Sequence, residues 1–558
     1  IRDLRMSRGL GDVYKRQLYN IAVNDKTNAQ AALNRYTSLV AKSAHTSIRK
    51  YQLYRRALEI ASDVKVQNRL INLLGETHTY QALMLVEKYM DNKATAEAAA
   101  EAVRTIASKN SENFGGEPVR KALEKAIACF KEAGHADAGY AIDDINAILQ
   151  RLPQAAYIPI FGNAEWTVIA LNPAQKASMN PKKIKKHEAL TATTSDLWKI
   201  TENGIAYTGG KNAILGTGNY ENFELWFEWK GTGKAGLGVR SIRQIDLGGD
   251  KSGALSGNIK TKNTPEKVAD NIAGEWNTVY VKVLNDRVTV SVNGVVTATN
   301  IILENSCDRN IPAYVKGQLM LIGEGTPVEY REMYIRELPS TPKFNLPAEE
   351  AKEGFEILFD GTSMHKWTGN TTDYVPVDGT IYVTAQYGGS GNLYTVKEYS
   401  DFVFRFEFAF MREGVNNGVG IRTPMGVDAA YEGMEIQILD HDAPIYKGLR
   451  EYQQHGSVYG IIPAKRVKFP ALGEWNTEEI RAVGDRITVT VNGEIILDGN
   501  IREACQGHNV SEDGSTKNPH TVDRKNHPGL FNKSGHIGFL GHGAGVKFRN
   551  IRIKDLSK

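Results

Sequence analysis

Gly274-Glu275-Trp276-Asn277-Thr278 returns as Gly473-Glu474-Trp475-Asn476-Thr477, and Val290-Ser291-Val292-Asn293-Gly294 returns as Val489-Thr490-Val491-Asn492-Gly493. One scaffold is therefore used twice, and each copy controls for the other: shared residues serve folding, whereas a polar cluster confined to one copy marks chemistry. Each Asn-Gly pair sits between β-branched runs, the signal of a type I′ hairpin whose two central residues need positive φ. Working outward, Phe223, Leu225, Phe227 and Trp229 alternate with Glu224, Trp226 and Glu228, and Phe402, Phe404, Phe406, Phe408 and Phe410 alternate with Val403, Arg405, Glu407 and Ala409. That period of two places one face of each strand in a core. With 53 glycines for turns, the pattern predicts two all-β jelly-roll sandwiches, residues 153–338 and 354–558, joined by a proline-bearing linker at 339–353. By the same control, Trp276 and Trp475 are expected in the cores.

Upstream the period changes to that of a helix. Tyr51, Tyr54, Leu58 and Ala61 share a face, followed by Leu70, Leu73 and Leu74, then Leu83, Val86 and Tyr89, then Val103 and Ile106. Residues 18–152 thus predict an all-α solenoid of HEAT-like hairpins, with the alanine-rich run from Ala94 to Ala102 suited to close helix packing. The segment holds no constellation of titratable groups, so it would serve as a scaffold or dock a protein partner. Residues 1–17 resemble a translated sequencing adapter and are set aside as non-native.

A chain of 558 residues exceeds what one core can organise, and 41% hydrophobic with 24% charged residues describes globular domains. No apolar run is long enough for a membrane span. The net charge of +4 gives no electrostatic reason for a nucleic-acid partner, since five basic and two acidic residues in 1–17 supply most of it. Lys182-Lys183-Ile184-Lys185-Lys186 reads as a solvated loop. Cys129, Cys307 and Cys505 have no metal-ligand spacing, and the latter two, in corresponding places of the copies, read as buried filler.

The numbering offset between copies grows from 175 (Gly204 to Gly379) through 179 (Phe223 to Phe402) and 182 (Arg240 to Arg422) to 199 (Trp276 to Trp475) and 218 (Leu338 to Leu556). Insertions in the later copy therefore fall after Arg422 and after the Asn-Gly hairpin, where loops on a fixed sheet handle ligands. The first inserted region contains Tyr431-Glu432-Gly433-Met434-Glu435-Ile436-Gln437-Ile438-Leu439-Asp440-His441-Asp442, a strand that puts Glu435 and Gln437 on one face. The first copy has no acid two residues before its Gln244, and it has Glu324 where the second has His542. His441 and His455 read as loop residues.

Residues 354–556 resemble the 3-keto-disaccharide hydrolase family, whose fold is a concanavalin-like jelly roll. The resemblance rests on Gly354-Phe355-Glu356-Ile357-Leu358-Phe359-Asp360-Gly361 with Trp367, on Asn416-Asn417-Gly418-Val419-Gly420-Ile421-Arg422, on Glu435-Ile436-Gln437-Ile438-Leu439-Asp440, on Gly456-Ser457-Val458-Tyr459-Gly460, and on His542-Gly543 leading into Phe548-Arg549-Asn550. The family commonly carries Gln-Asp before the last histidine, where this chain has Leu540-Gly541. The resemblance implies cleavage of glycosides already oxidised at C3: the ketone acidifies the C2 proton, a base removes it, the enolate expels the C1 substituent, and water adds back. It implies Glu435 or His542 as base and Arg422, or a divalent cation held by Glu435, Asp440 and His542, as enolate stabiliser, with Gln437, Tyr459 and Asn417 contacting the sugar. It also implies an oligosaccharide or glycoside substrate and export to the periplasm, cell envelope or exterior of a Bacteroidetes-like bacterium. The first sandwich would be noncatalytic. The rival expectation is a carbohydrate-binding protein without catalysis, and a third is ordinary hydrolysis by Glu435 and Asp440 as a carboxyl pair.

Overall fold

The structure is a computed structural model that describes all residues except 1, 135–136, 169–179, 193, 260–262, 266–267, 307–311, 385–390 and 558. Cys307 lies outside the described residues. The chain divides into two compact units, one of Ile1–Leu284, Val288–Ala298 and Asn305–Leu338, the other of Asn285–Arg287, Thr299–Glu304 and Pro339–Lys558.

The first unit begins with helices α1 (Arg2–Asn24), α2 (Ala29–Ala41), α3 (Ser47–Ile60), α4 (Val64–Gly75), α5 (Tyr80–Glu87), α6 (Ala96–Lys109), α7 (Gly116–Ala133) and α8 (Ala138–Gln150). Helix α1 runs unbroken through residue 17. The expected face is buried, with Tyr51, Tyr54, Leu58, Leu70, Leu74, Leu83, Val103 and Ile106 all in one cluster. Thr46, Asp63 and Thr79 cap α3, α4 and α5 by accepting from main-chain N–H groups. Close packing is visible where Gly75 ends α4, since a Cβ there would lie 3.1 Å from Ala102 of α6. The helices do not stand apart from the sandwich. Gln52 of α3 donates to Thr278 Oγ1 (2.8 Å) and Asn293 Oδ1 (2.7 Å), Arg49 and Arg56 pair with Glu275, and Tyr334 joins the helical core.

The two sandwiches have the same strand order. Each couples an eight-stranded to a five-stranded antiparallel sheet, and the sequence of neighbours in one repeats in the other. The jelly-roll expectation is met. The repeated motifs lock the large sheet: Asn293 and Asn492 take positive φ (52° and 50°), as do Gly294 and Gly493 (79° and 83°). Asn492 Oδ1 accepts from Thr477 N–H and its Nδ2 donates to Asn476 Oδ1, and Asn293 repeats both bonds with Thr278 and Asn277. The tryptophans correct the expectation. Trp276 and Trp475 are half-buried on the outside of the large sheet, each under a guanidinium 3.9 Å from the ring, Arg331 in one copy and Arg549 in the other.

Two further readings change. The lysine run lies exposed on a helix, Pro181–Ala192, rather than in a loop. The 339–353 stretch ends in a short helix, Ala348–Lys352, whose Glu350 is bonded to Arg405 and Arg552 of the large sheet, so it is built into the second unit. Cys505 is buried and donates to Ile501 O, as filler would. Among the described residues no helix is long and apolar enough to cross a membrane.

Candidate active site

In the second sandwich the five-stranded sheet runs Trp367–Gly369, Leu393–Thr395, His536–Gly541, Asn416–Thr423, Met434–Leu439. Val419, Ile421, Ile436, Ile438, Ile537 and Phe539 point inward to the core. On the opposite face Gly420 pairs with Glu435, Gly418 with Gln437, and Gly420 also with Gly538. This row of glycines is a structural requirement, because a Cβ on Gly418 would collide with Glu435 Oε1. Gly418→Ala is therefore expected to displace the carboxylate and lower kcat/KM at least tenfold while leaving the unfolding transition nearly in place, since Gly418 has ordinary strand φ; kinetics and a melting curve on one preparation check it.

Glu435 is buried, and His542 Nε2 lies 3.8 Å from its Oε1. The imidazole itself is half exposed at 49%. Its pKa is raised, chiefly by hydrogen bonding to the Glu435 carboxylate; burial opposes this, and the charges of Glu435 and Asp428 add to it. Asn392 holds the turn, its Oδ1 accepting from Gly541 N–H (3.0 Å), and Arg412 flanks the other side, donating from Nε to Ala544 O (2.9 Å).

Gln437 is also buried. Its Nε2 donates to Asn416 Oδ1 (3.2 Å), and among the described residues nothing reaches its Oε1. Tyr459 comes from the first insertion, whose Val458 bridges to Ile436 and whose Tyr459 N–H donates to Glu435 O (2.9 Å). The Tyr459 oxygen accepts from Gln453 Nε2 (3.2 Å), leaving its own proton free, and burial raises its pKa so that it stays a neutral donor. The insertion is pinned through the core by a pair that loop reading missed: His455, fully buried, accepts from Leu439 N–H at Nδ1 and sets Nε2 3.2 Å from Glu478 Oε2. Burial pushes Glu478 up, with His455 opposing. His441 is buried as well, its Nε2 2.8 Å from Val467 O.

Three expected members do not join. Arg422 is 98% buried elsewhere: Nε donates to Ser400 O, Nη1 to Gly484 O and Nη2 to Asp401 Oδ1, at 2.8, 2.7 and 3.0 Å. Arg240 in the first copy makes the corresponding bonds, Nε to Glu221 O and Nη2 to Asn222 Oδ1. A contact present in both copies serves folding. Asn417 faces the core, donating to Tyr374 OH, because strand parity gives its neighbour Asn416 to the site face. Asp440 turns away to accept Gly414 N–H (2.9 Å). Glu435, Asp440 and His542 consequently do not assemble as a metal triad, and the donor set does not fit a three-ligand cation.

The first copy carries other residues at the same positions. Its Gly238 pairs with Arg243 and its Gly236 with Asp246, so the register puts an arginine and an aspartate where the second copy has Glu435 and Gln437. Asp246, Lys234, Lys251 and Glu324 line a cleft of about 210 Å³ there.

Comparison with known proteins identifies the family. The model of a family described as a 3-keto-alpha-glucoside-1,2-lyase-like domain matches residues 177–336 and 354–554, once per sandwich. A 3-keto-disaccharide hydrolase of Bacteroides thetaiotaomicron is 27% identical over 256 residues, covering 40% of this chain and 86% of that protein. Among solved structures, a proposed glycosyl hydrolase of Parabacteroides distasonis aligns at 24% identity, covering 38% of this chain and all of its own, with a TM-score of 0.32. A Bacillus subtilis carbohydrate binding module, CBM66, aligns at 10% identity over 29% of this chain and 81% of its own, with a TM-score of 0.19.

Proposed function

Since the chain belongs to the 3-keto-alpha-glucoside-1,2-lyase-like family, we propose that its second sandwich cleaves 3-keto-glycosides by removing the C2 proton, with His542 as the base and Glu435 as the residue that holds and charges it. The observation that carries this reading is the pair itself: a half-exposed imidazole that substrate can reach, backed by a buried carboxylate, on the glycine-lined face of one copy and missing from the other. Neutral His542 accepts the C2 proton, the C2–H electron pair delocalises onto the C3 oxygen as the enolate, and its collapse restores the C3 carbonyl, forms the C1–C2 double bond and breaks the C1–O bond. The imidazolium, stabilised by Glu435, then returns its proton to the departing oxygen. Water adding across the resulting double bond gives net hydrolysis. The Tyr459 hydroxyl donates to a sugar oxygen as negative charge develops.

The first sandwich, with its altered register residues, is the platform on which the helices dock and takes no part in the chemistry. The helical segment offers the surface for a protein partner, and the protein acts in the cell envelope. The test is turnover of a 3-keto-glucoside against its unoxidised parent. Release of aglycone from the ketone alone is expected; turnover of the parent alone would end the keto-sugar mechanism.

A further inference from the structure

The second insertion, between the strands Glu494–Asn500 and His536–Gly541, has no counterpart of its length in the first copy and is folded largely by turns. We propose that it contains a binding site for one divalent transition-metal ion, ligated by His508, Glu512 and His520. Their ligand atoms all lie within 4.8 Å of one another, the only such group of three among the described residues. The two imidazole centroids are 4.5 Å apart with planes at 31°, and His508 Nδ1 is 3.1 Å from Glu512 Oε1. Two details make this a built site rather than a chance meeting. Asn518 is fully buried, donates from Nδ2 to His508 O (2.8 Å) and accepts His520 N–H at Oδ1 (3.0 Å), so one amide clamps the main chain of both histidines. His520 Nδ1 lies 3.1 Å from Gln506 Oε1, an acceptor, which fixes the proton on Nδ1 and leaves the Nε2 lone pair for an ion.

Two imidazoles with one carboxylate suit zinc, cobalt or nickel, whereas calcium and magnesium want an oxygen shell. Three protein ligands leave a fourth position to water. The insertion also braces the catalytic face: Val522 N–H donates to Gly460 O (3.0 Å), Lys525 Nζ to Tyr431 OH (2.8 Å), and His527 Nδ1 lies 2.8 Å from Ala430 O. An ion at His508, Glu512 and His520 therefore staples a segment with little apolar core of its own, whatever the substrate of the neighbouring site.

The full chain, stripped with chelator, is titrated with Zn²⁺ and passed through gel filtration before metal analysis. One zinc per chain is expected, retained in Glu435→Gln, with affinity at least about tenfold weaker in the folded double variant H508Q/H520Q. Zinc that does not survive filtration, or that binds the double variant equally, overturns the site. Co²⁺ titration of the unaltered chain needs no variant: strong visible bands of a four-coordinate ion support the site, and only the weak spectrum of hydrated cobalt refutes it.

Discussion

His542→Gln is expected to lower kcat/KM on a 3-keto-glucoside by about 10²–10⁴-fold, the range over which a positioned acid or base contributes. The pH profile identifies its role. Hydrogen bonding to Glu435 holds the imidazole pKa above its ordinary value. If His542 is the base, kcat/KM rises with pH and levels off above that raised value. Glu435→Gln removes the charge that favours the imidazolium, so the rising limb moves to lower pH while the plateau falls, because the protonated state reached during reaction has lost its partner. Were the imidazolium instead acting first as an acid, activity would fall through the same pKa as pH rises. The two profiles have opposite slopes, and a falling limb would transfer the base role to Glu435. The linked effect on folding has its own sign: a raised histidine pKa stabilises the folded state below the unfolded value and ceases to do so as pH rises through the folded one. For a half-exposed group this contribution is small, so the activity profile and not the melting temperature is the sensitive readout.

The duplicated scaffold was legible because its signals are local. Asn-Gly between β-branched runs specifies a hairpin from four or five residues, and both hairpins have the positive φ angles that the motif requires. Glu435 and Gln437 were placed on one face by the period of a single strand. What needed the structure was the pairing between strands distant in sequence. Asn416 and Asn417 are equally polar, and only the register with Met434–Leu439 decides that Asn416 shares the face of Gln437 while Asn417 faces Tyr374. The same limit hid Asp246, which holds the position of Gln437 in the first copy because a bulge between Leu237 and Gly238 shifts the register. One missed residue did leave a trace: Glu478 occupies an inward slot of the strand Asn476–Val483 with Ile480 and Ala482, and a carboxylate there needs a partner from elsewhere, which is His455. The shared tryptophans were correctly read as structural but placed in the wrong environment, since an indole serves folding as well under a guanidinium as inside a core.

Arg422→Met is expected to cost about 1–3 kcal/mol of stability, the penalty for leaving buried main-chain acceptors unsatisfied, and to leave the turnover of correctly folded protein unchanged. The guanidinium satisfies two main-chain carbonyls and the Asp401 carboxylate at once; methionine fills the volume but leaves both carbonyls without their donor, while Asp401 Oδ1 keeps only the Gly484 N–H. Backbone strain does not distinguish the two residues, since the φ of 48° is as unfavourable for methionine as for arginine. Arg240→Met supplies the control: it removes the corresponding bonds to Glu221 and Asn222 in a sandwich without the Glu435 and His542 pair, so a similar loss of stability is expected there with no catalytic consequence at all. Denaturant unfolding of both variants, with activity measured per folded molecule, checks the pair of results. A large loss of activity in Arg422→Met at undiminished stability would restore this arginine to the catalytic machinery and break the rule that contacts common to both copies serve the fold.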